Sequence, residues 1–228
     1  YRGSTGFGKD FLNAGNKEWA GKMHDDLLDA VEWAVTQGVA DRDRIAIYGG
    51  SYGGYATLVG LTFTPDVFAC GVDIVGPSSI ITLLESIPPY WAPMLQMFKD
   101  RVGDFSTDEG KEFLLSRSPL TYVDRIRRPL LIGQGANDPR VKQPESEQIV
   151  TAMNHHGIPV TYVLFPEIAE SYSETYLLPQ DKFSFDLTRL TVPPDTTLVA
   201  IVNPNNPNGG TFDMAPLPDL LARYPHTH

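Results

Sequence analysis

One stretch constrains this chain more than any other: RIAIYGGSYGGYA, residues 44–56. Its short β-branched run, Ile45 to Tyr48, reads as a strand buried on both faces. Residues 52–63 read as a helix packed close through Gly53, Gly54 and Ala56. Between them Gly49-Gly50-Ser51-Tyr52-Gly53 matches G-x-S-x-G. A strand and a helix this close in sequence must be joined by a sharp turn, and the flanking glycines supply its backbone freedom. The chain is thereby committed to a strand–turn–helix unit with Ser51 at the tip, at the carboxyl end of a sheet. A serine there is a nucleophile once a neighbouring base takes its proton. The backbone N–H of Tyr52, at the helix N-terminus, points at a developing oxyanion.

The rest of the pattern extends this unit. Residues 22–38 carry Met23, Leu27, Leu28, Val31, Trp33, Ala34 and Val35 at helical spacing as an inner face, with Gly38 as C-terminal cap. Strands are expected at 68–75, at Pro129 to Gln134 and in IPVTYVLFP, with a helix at 142–156. Residues 80–118, rich in aromatics, Pro and Met, read as a helical insertion; Tyr90, Trp91, Met94, Met97 and Phe98 are assigned to packing ahead of an acyl pocket. Strands alternating with helices predict an α/β fold, a mostly parallel sheet with helices on both faces. After Pro166 the composition turns to Pro, Asn, Ser and Thr, with one further strand expected at Thr197 to Val202.

The formal net charge of −10 excludes nucleic acid and anionic membranes as expected partners, because their phosphates would be repelled. The one cysteine, Cys70, lies in an apolar strand run; it excludes an internal disulfide and fits a reducing, cytoplasmic setting. No apolar run approaches the ~18 residues of a membrane helix. No signal-peptide pattern opens the chain. It begins on Tyr1 rather than Met, as a processed or excised piece would.

An acid is expected after a later strand, and Asp138 in GQGANDPRV follows the strand at 129–134. The same residue also fits an Asx-turn. YRGSTGFGKDF, GGSYGGYATL, SPLTYVDRIRRPLLIGQGANDPRV and PVTYVLFP together resemble the catalytic domain of the prolyl oligopeptidase family, in its dipeptidyl- and acylaminoacyl-peptidase branch. The resemblance spans 1–167. It implies an α/β-hydrolase fold, truncated here at both ends, and cleavage of short peptides or small acyl esters. It also implies Ser51 as nucleophile and Asp138 as triad acid. Two departures follow. Glu170 stands where the family carries its histidine, and the chain begins after the family's His-Gly-Gly-Pro-like oxyanion loop. Lost strands would expose a sheet edge and favour self-association.

Residues 168–228 carry a different resemblance. LVAIVNPNNPNGG is similar to the strand and loop of fold-type I pyridoxal-phosphate aminotransferases, with Asn206 at the cofactor-facing asparagine. No Schiff-base lysine follows, so no internal aldimine and no cofactor is expected. The expectation is a junction near Glu167 between unrelated segments, a chimera.

Few residues remain as the base. His24, beside Asp25 and Asp26, reads as a surface histidine; His155 and His156 close a helix at the end of the sheet opposite Ser51. His226 and His228 reach Ser51 only if the tail folds back. Glu170 is a poor proton acceptor for an alcohol and would repel Asp138. The expectation is a serine hydrolase with impaired chemistry, or else a folded module without turnover.

Overall fold

The structure, a computed structural model, describes residues 1–87 and 94–165, with two short strands at Ser184–Phe185 and Thr211–Phe212. The chain divides into two compact units, Tyr1–Tyr172 and Ser173–His228. The strand expected at Thr197 to Val202 lies outside the described residues.

In the first unit four parallel strands, β1 (Ala46–Gly50), β2 (Cys70–Ile74), β3 (Leu130–Gly135) and β4 (Thr161–Phe165), lie in sequence order across one sheet. Seven helices are described: α1 (Lys9–Asn13), α2 (Lys22–Thr36), α3 (Tyr52–Phe63), α4 (Ile80–Glu85), α5 (Leu95–Arg101), α6 (Asp108–Ser116) and α7 (Gln143–His155). The helical insertion at 80–118 thus resolves into α4, α5 and α6. Among the described residues no helix is long and apolar enough to cross a membrane. In the second unit Ser184–Phe185 pairs in parallel with Thr211–Phe212.

Local chemistry sets the helix ends. The Thr107 hydroxyl accepts from the Gly110 N–H, and Asp108 and Glu109 stand in the first turn of α6, where the helix dipole favours negative charge. Gly38 adopts φ +69° just beyond α2, a conformation few side chains tolerate. α3 is apolar all round and is buried accordingly. Its Leu58 and Leu61 join Ile149 and Met153 of α7 and Leu130 and Ile132 of β3 in one core. A second core gathers Tyr55 and Val59 of α3 against Ile80, Leu84, Val102 and Leu114.

That shared core corrects two expectations. Strands laid down in consecutive order with right-handed crossovers send every connecting helix to the same side. α3 and α7 therefore cover one face together, and α2 adds Leu28 and Val31 to the same core. Among the described residues the helices do not occupy both faces. β1 is an edge strand here, and Tyr48, in register with Val72 on the far face, is 73% exposed rather than doubly buried. Trp33, expected on the inner face of α2, is 63% exposed. At about 100° per residue Trp33 stands roughly 140° from Leu28 and roughly 160° from Val31, on the side of α2 turned away from the core those two join.

Candidate active site

The site is built from the β1–α3 corner. Ser51 joins the two elements with φ +55° and ψ −117°, outside the comfortable regions for a residue with a Cβ. Such a conformation costs on the order of 1–3 kcal/mol and persists only where the surroundings enforce it. Here they do. The Ser51 N–H donates to the Ile74 carbonyl at 2.9 Å, and the Tyr55 N–H donates back to the Ser51 carbonyl at 3.0 Å. A Cβ on Gly49 would overlap the Gly53 backbone, and one on Gly54 would overlap Asp73 and Gly76. The corner closes only because those positions are bare. Serine is among the best helix caps, yet the Ser51 side chain makes no cap hydrogen bond to α3 and is exposed. Its hydroxyl is held outward.

Tyr52 opens α3, so no carbonyl of that helix can accept its N–H. Its ring is packed: Trp19 lies 4.8 Å away, Tyr55 5.7 Å and Tyr1 5.8 Å between ring centroids. Its hydroxyl points to the Met23 sulfur at 3.8 Å. Burial drives that hydroxyl well above the ordinary tyrosine range. The side chain is a wall, and what Tyr52 offers chemistry is its backbone N–H.

Asp138 lies in the turn after β3, half-buried. The N–H groups of Arg140 and Val141 donate to its Oδ1 at 2.8 and 2.9 Å. The turn reading of this aspartate is therefore realised, and the turn fixes the plane of the carboxylate. β1 and β3 flank β2 in a parallel sheet. Ser51, the Tyr52 N–H and Asp138 thus all follow strands at the same carboxyl end.

The histidines are elsewhere. His155 ends α7 and His156 follows it, before the start of β4 and hence at the opposite end of the sheet. His24 is not the surface residue expected. It is 7% exposed, because α2 turns Met23 and His24 inward. One ring nitrogen, Nε2, lies 2.9 Å from the Thr64 hydroxyl, and Nδ1 is buried without a partner. Desolvation lowers its pKa, with Asp25 opposing. Glu170, His226, His228 and Asn206 lie outside the described residues, as do Tyr90 and Trp91. Cys70 is half-buried on β2.

Sequence reasoning passed over two buried acids near the site. Asp73, in the end of β2, is fully buried; its Oδ1 accepts from the Gly76 N–H at 2.7 Å and its Oδ2 has no partner. Burial pushes its carboxyl well above the usual range, and the Gly76 bond opposes that only in part. The signal was an aspartate inside the apolar run CGVDIV. Glu145, 3% exposed, ties α7 to the start of α4: the Ser78 hydroxyl donates to its carbonyl at 2.6 Å, and Gln148 donates to its carboxylate and to Ser78 and Thr82. Burial raises its pKa too. The contacts to Ser78 and Thr82 span 66 to 70 residues of chain, with no local pattern to announce them. Among the described residues no three His, Cys, Asp or Glu side chains gather as a metal-binding set.

The profile of the prolyl oligopeptidase family matches residues 1–169. Over 173 residues, 76% of this chain and 25% of the relative, the sequence is 68% identical to dipeptidyl aminopeptidase BIII of Pseudoxanthomonas mexicana. Over 168 residues, 73% of this chain and 23% of the relative, it is 60% identical to dipeptidyl peptidase family member 6 of Caenorhabditis elegans. Among solved structures, a puromycin-hydrolyzing peptidase of Mycobacterium tuberculosis superposes with a TM-score of 0.66 at 32% identity, covering 72% of this chain and 24% of that one. The chain spans about a quarter of the length of the curated relatives it matches.

Proposed function

Because the chain belongs to the prolyl oligopeptidase family, we propose that it is a serine hydrolase acting by acyl transfer through Ser51 on short peptides and small acyl esters. The observation that carries this reading is the backbone of Ser51. A non-glycine residue at φ +55° between a strand and a helix, its hydroxyl spared from capping, is built for attack. In the proposed step Ser51 Oγ bonds to the acyl carbon. The oxyanion accepts from the Tyr52 N–H, the scissile C–N or C–O bond breaks, and the amine or alcohol leaves with the proton that Ser51 Oγ gave up. Water then releases the acid.

The proposal includes impaired turnover. By the family resemblance Glu170 occupies the histidine's position, and Asp138 has no imidazole to orient there. In subtilisin, losing the triad costs on the order of 10⁶ in kcat, leaving ~10³–10⁴ over water from the oxyanion hole and binding. Activated esters are then hydrolysed more readily than peptides. The expected result is slow fluorophosphonate labelling and slow p-nitrophenyl acetate hydrolysis, both lost in Ser51→Ala. Equal rates in the two proteins would remove the serine mechanism.

A second reading is a folded module without turnover. It is favoured by the family match stopping at residue 169, one residue short of Glu170. The aminotransferase-like origin of 168–228 rests on the sequence resemblance alone. A reducing, cytoplasmic setting rests on the single cysteine. Self-association is supported by β1, which pairs only with β2 among the described residues and leaves Tyr48 open. A concentration-independent monomer by light scattering would count against it.

A further inference from the structure

A cavity of about 170 Å³ lies between the N-terminal segment and α5. Leu12, Trp19, Met23, Met97, Phe98 and Val102 give it an apolar wall. Its floor is bare backbone, since a Cβ on Gly15 would sit 2.7 Å from the Gly3 Cα. An apolar cavity of ~150 Å³ is enough to hold one benzene-sized molecule, so this space suits a ligand the size of a single amino acid.

Two polar side chains also line it, Asn16 and Arg101. Among the described residues Arg101 makes no ion pair and no side-chain hydrogen bond. The acids near it in sequence, and the one beside the cavity wall, are already engaged. Asp100 accepts from Gln96, Asp104 pairs with Lys99 and Ser106, and Glu18 accepts from the Lys22 N–H. A guanidinium with no acid partner among the described residues, in the last turn of α5, beside an exposed amide and lining an apolar hollow, has the chemistry of a carboxylate receptor. Few polar groups converging on an apolar pocket is also the usual anatomy of a small-molecule site.

We propose that this cavity binds a small carboxylic acid with an apolar body, the carboxylate on Arg101 and Asn16 and the body against Trp19, Met23 and Met97. N-acetyl-leucine, a carboxylate on a branched apolar body, serves as the probe of that chemistry. The site adjoins the candidate active site through Tyr52, whose ring lies 4.8 Å from Trp19 and whose hydroxyl meets Met23. Binding itself does not depend on Ser51, and the proposal does not rest on the hydrolase reading.

The test is calorimetric titration of the full chain with N-acetyl-leucine and with N-acetyl-leucinamide, which lacks the charge. Saturable binding of the acid is expected, about tenfold or more tighter than the amide, the scale of one charge-assisted pair. Arg101→Met should erase that preference and Arg101→Lys should restore part of it. Met97→Trp should fill the hollow and weaken both ligands, with thermal melts checking that each variant is folded. Ser51→Ala should bind as the parent does, which separates this outcome from any failure of the hydrolase reading. No saturable binding, equal binding of acid and amide, or a preference that survives Arg101→Met would each overturn the proposal.

Discussion

The two corners that carry the candidate site are made by opposite means. At the β1–α3 corner the elements touch backbone to backbone, and the contact exists because side chains are missing at Gly49, Gly54 and Gly76. At the β3–α7 corner the elements stand further apart and polar groups fill the gap. There Gln134 donates to the Gly135 and Val141 carbonyls and accepts from Ser146 at 2.7 Å, all of it buried. Asp138 gathers the N–H groups of Arg140 and Val141 just above. The difference teaches where each corner gets its precision. The first is fixed by repulsion and tolerates no added atom. The second is fixed by pairing and tolerates no removed partner.

Gly54→Ala strikes the first corner hardest. The new Cβ overlaps Asp73 and the Gly76 backbone, neither of which can swing away. A loss of about 3 kcal/mol, or failure to fold, is expected in denaturant unfolding. The neighbouring Gly53→Ala is the control: nothing lies within 4 Å of its Cβ, and a gain of up to about 1 kcal/mol is expected from lower chain entropy. Similar losses at both positions would remove the steric account. At the other corner Ser146→Ala adds nothing and takes away one donor. The Gln134 Oε1 then stays buried and unpaired, at a cost of about 2 kcal/mol. If Ser146→Ala melts like the parent, pairing is not what holds that corner.

The same contrast explains what could be read in advance. The steric corner is written in consecutive letters, because glycines close in sequence make one close contact; GGSYGG therefore gave the turn, the helix and Ser51. The alternating segments likewise gave all four strands of the first unit and the parallel sheet. The polar corner is written across distance. Ser78 meets Glu145 and Gln148, and no window of sequence contains both sides. Side-chain exposure was misread where it depends on neighbours rather than on the element itself. Tyr48 is open because the described crossovers share one face, and His24 is buried because α2 lies on α3. Asp138 was legible as a turn residue because the residues it pairs with, Arg140 and Val141, follow it within three positions.

Asp73 is a fully buried carboxyl group packed against the steric corner, and its effect is read in pH rather than in size. Its folded pKa lies above the ordinary 3.8 because burial disfavours the charge. The stability it contributes is therefore complete below about 3.8, the unfolded value, and is lost as pH rises toward the folded value. Asp73→Asn keeps an acceptor for the Gly76 N–H and cannot ionise. At the acid end the two proteins should differ by less than about 1 kcal/mol. As pH rises the asparagine variant should become the more stable of the two. Parallel stability curves would mean that Asp73 is not held protonated by its burial.

The smallest effect is expected at Asp138, where the pairing corner meets the proposed chemistry. Its bonds to Arg140 and Val141 need an acceptor oxygen, not a charge. Asp138→Asn supplies that oxygen and should cost no more than about 0.5 kcal/mol, whereas Asp138→Ala strands both N–H groups at the turn and should cost about 1 kcal/mol. Two equal losses would mean that the carboxylate's charge, rather than its geometry, holds the turn. The corner fixed by pairing would then depend on electrostatics at the position where the resemblance assigns the triad acid.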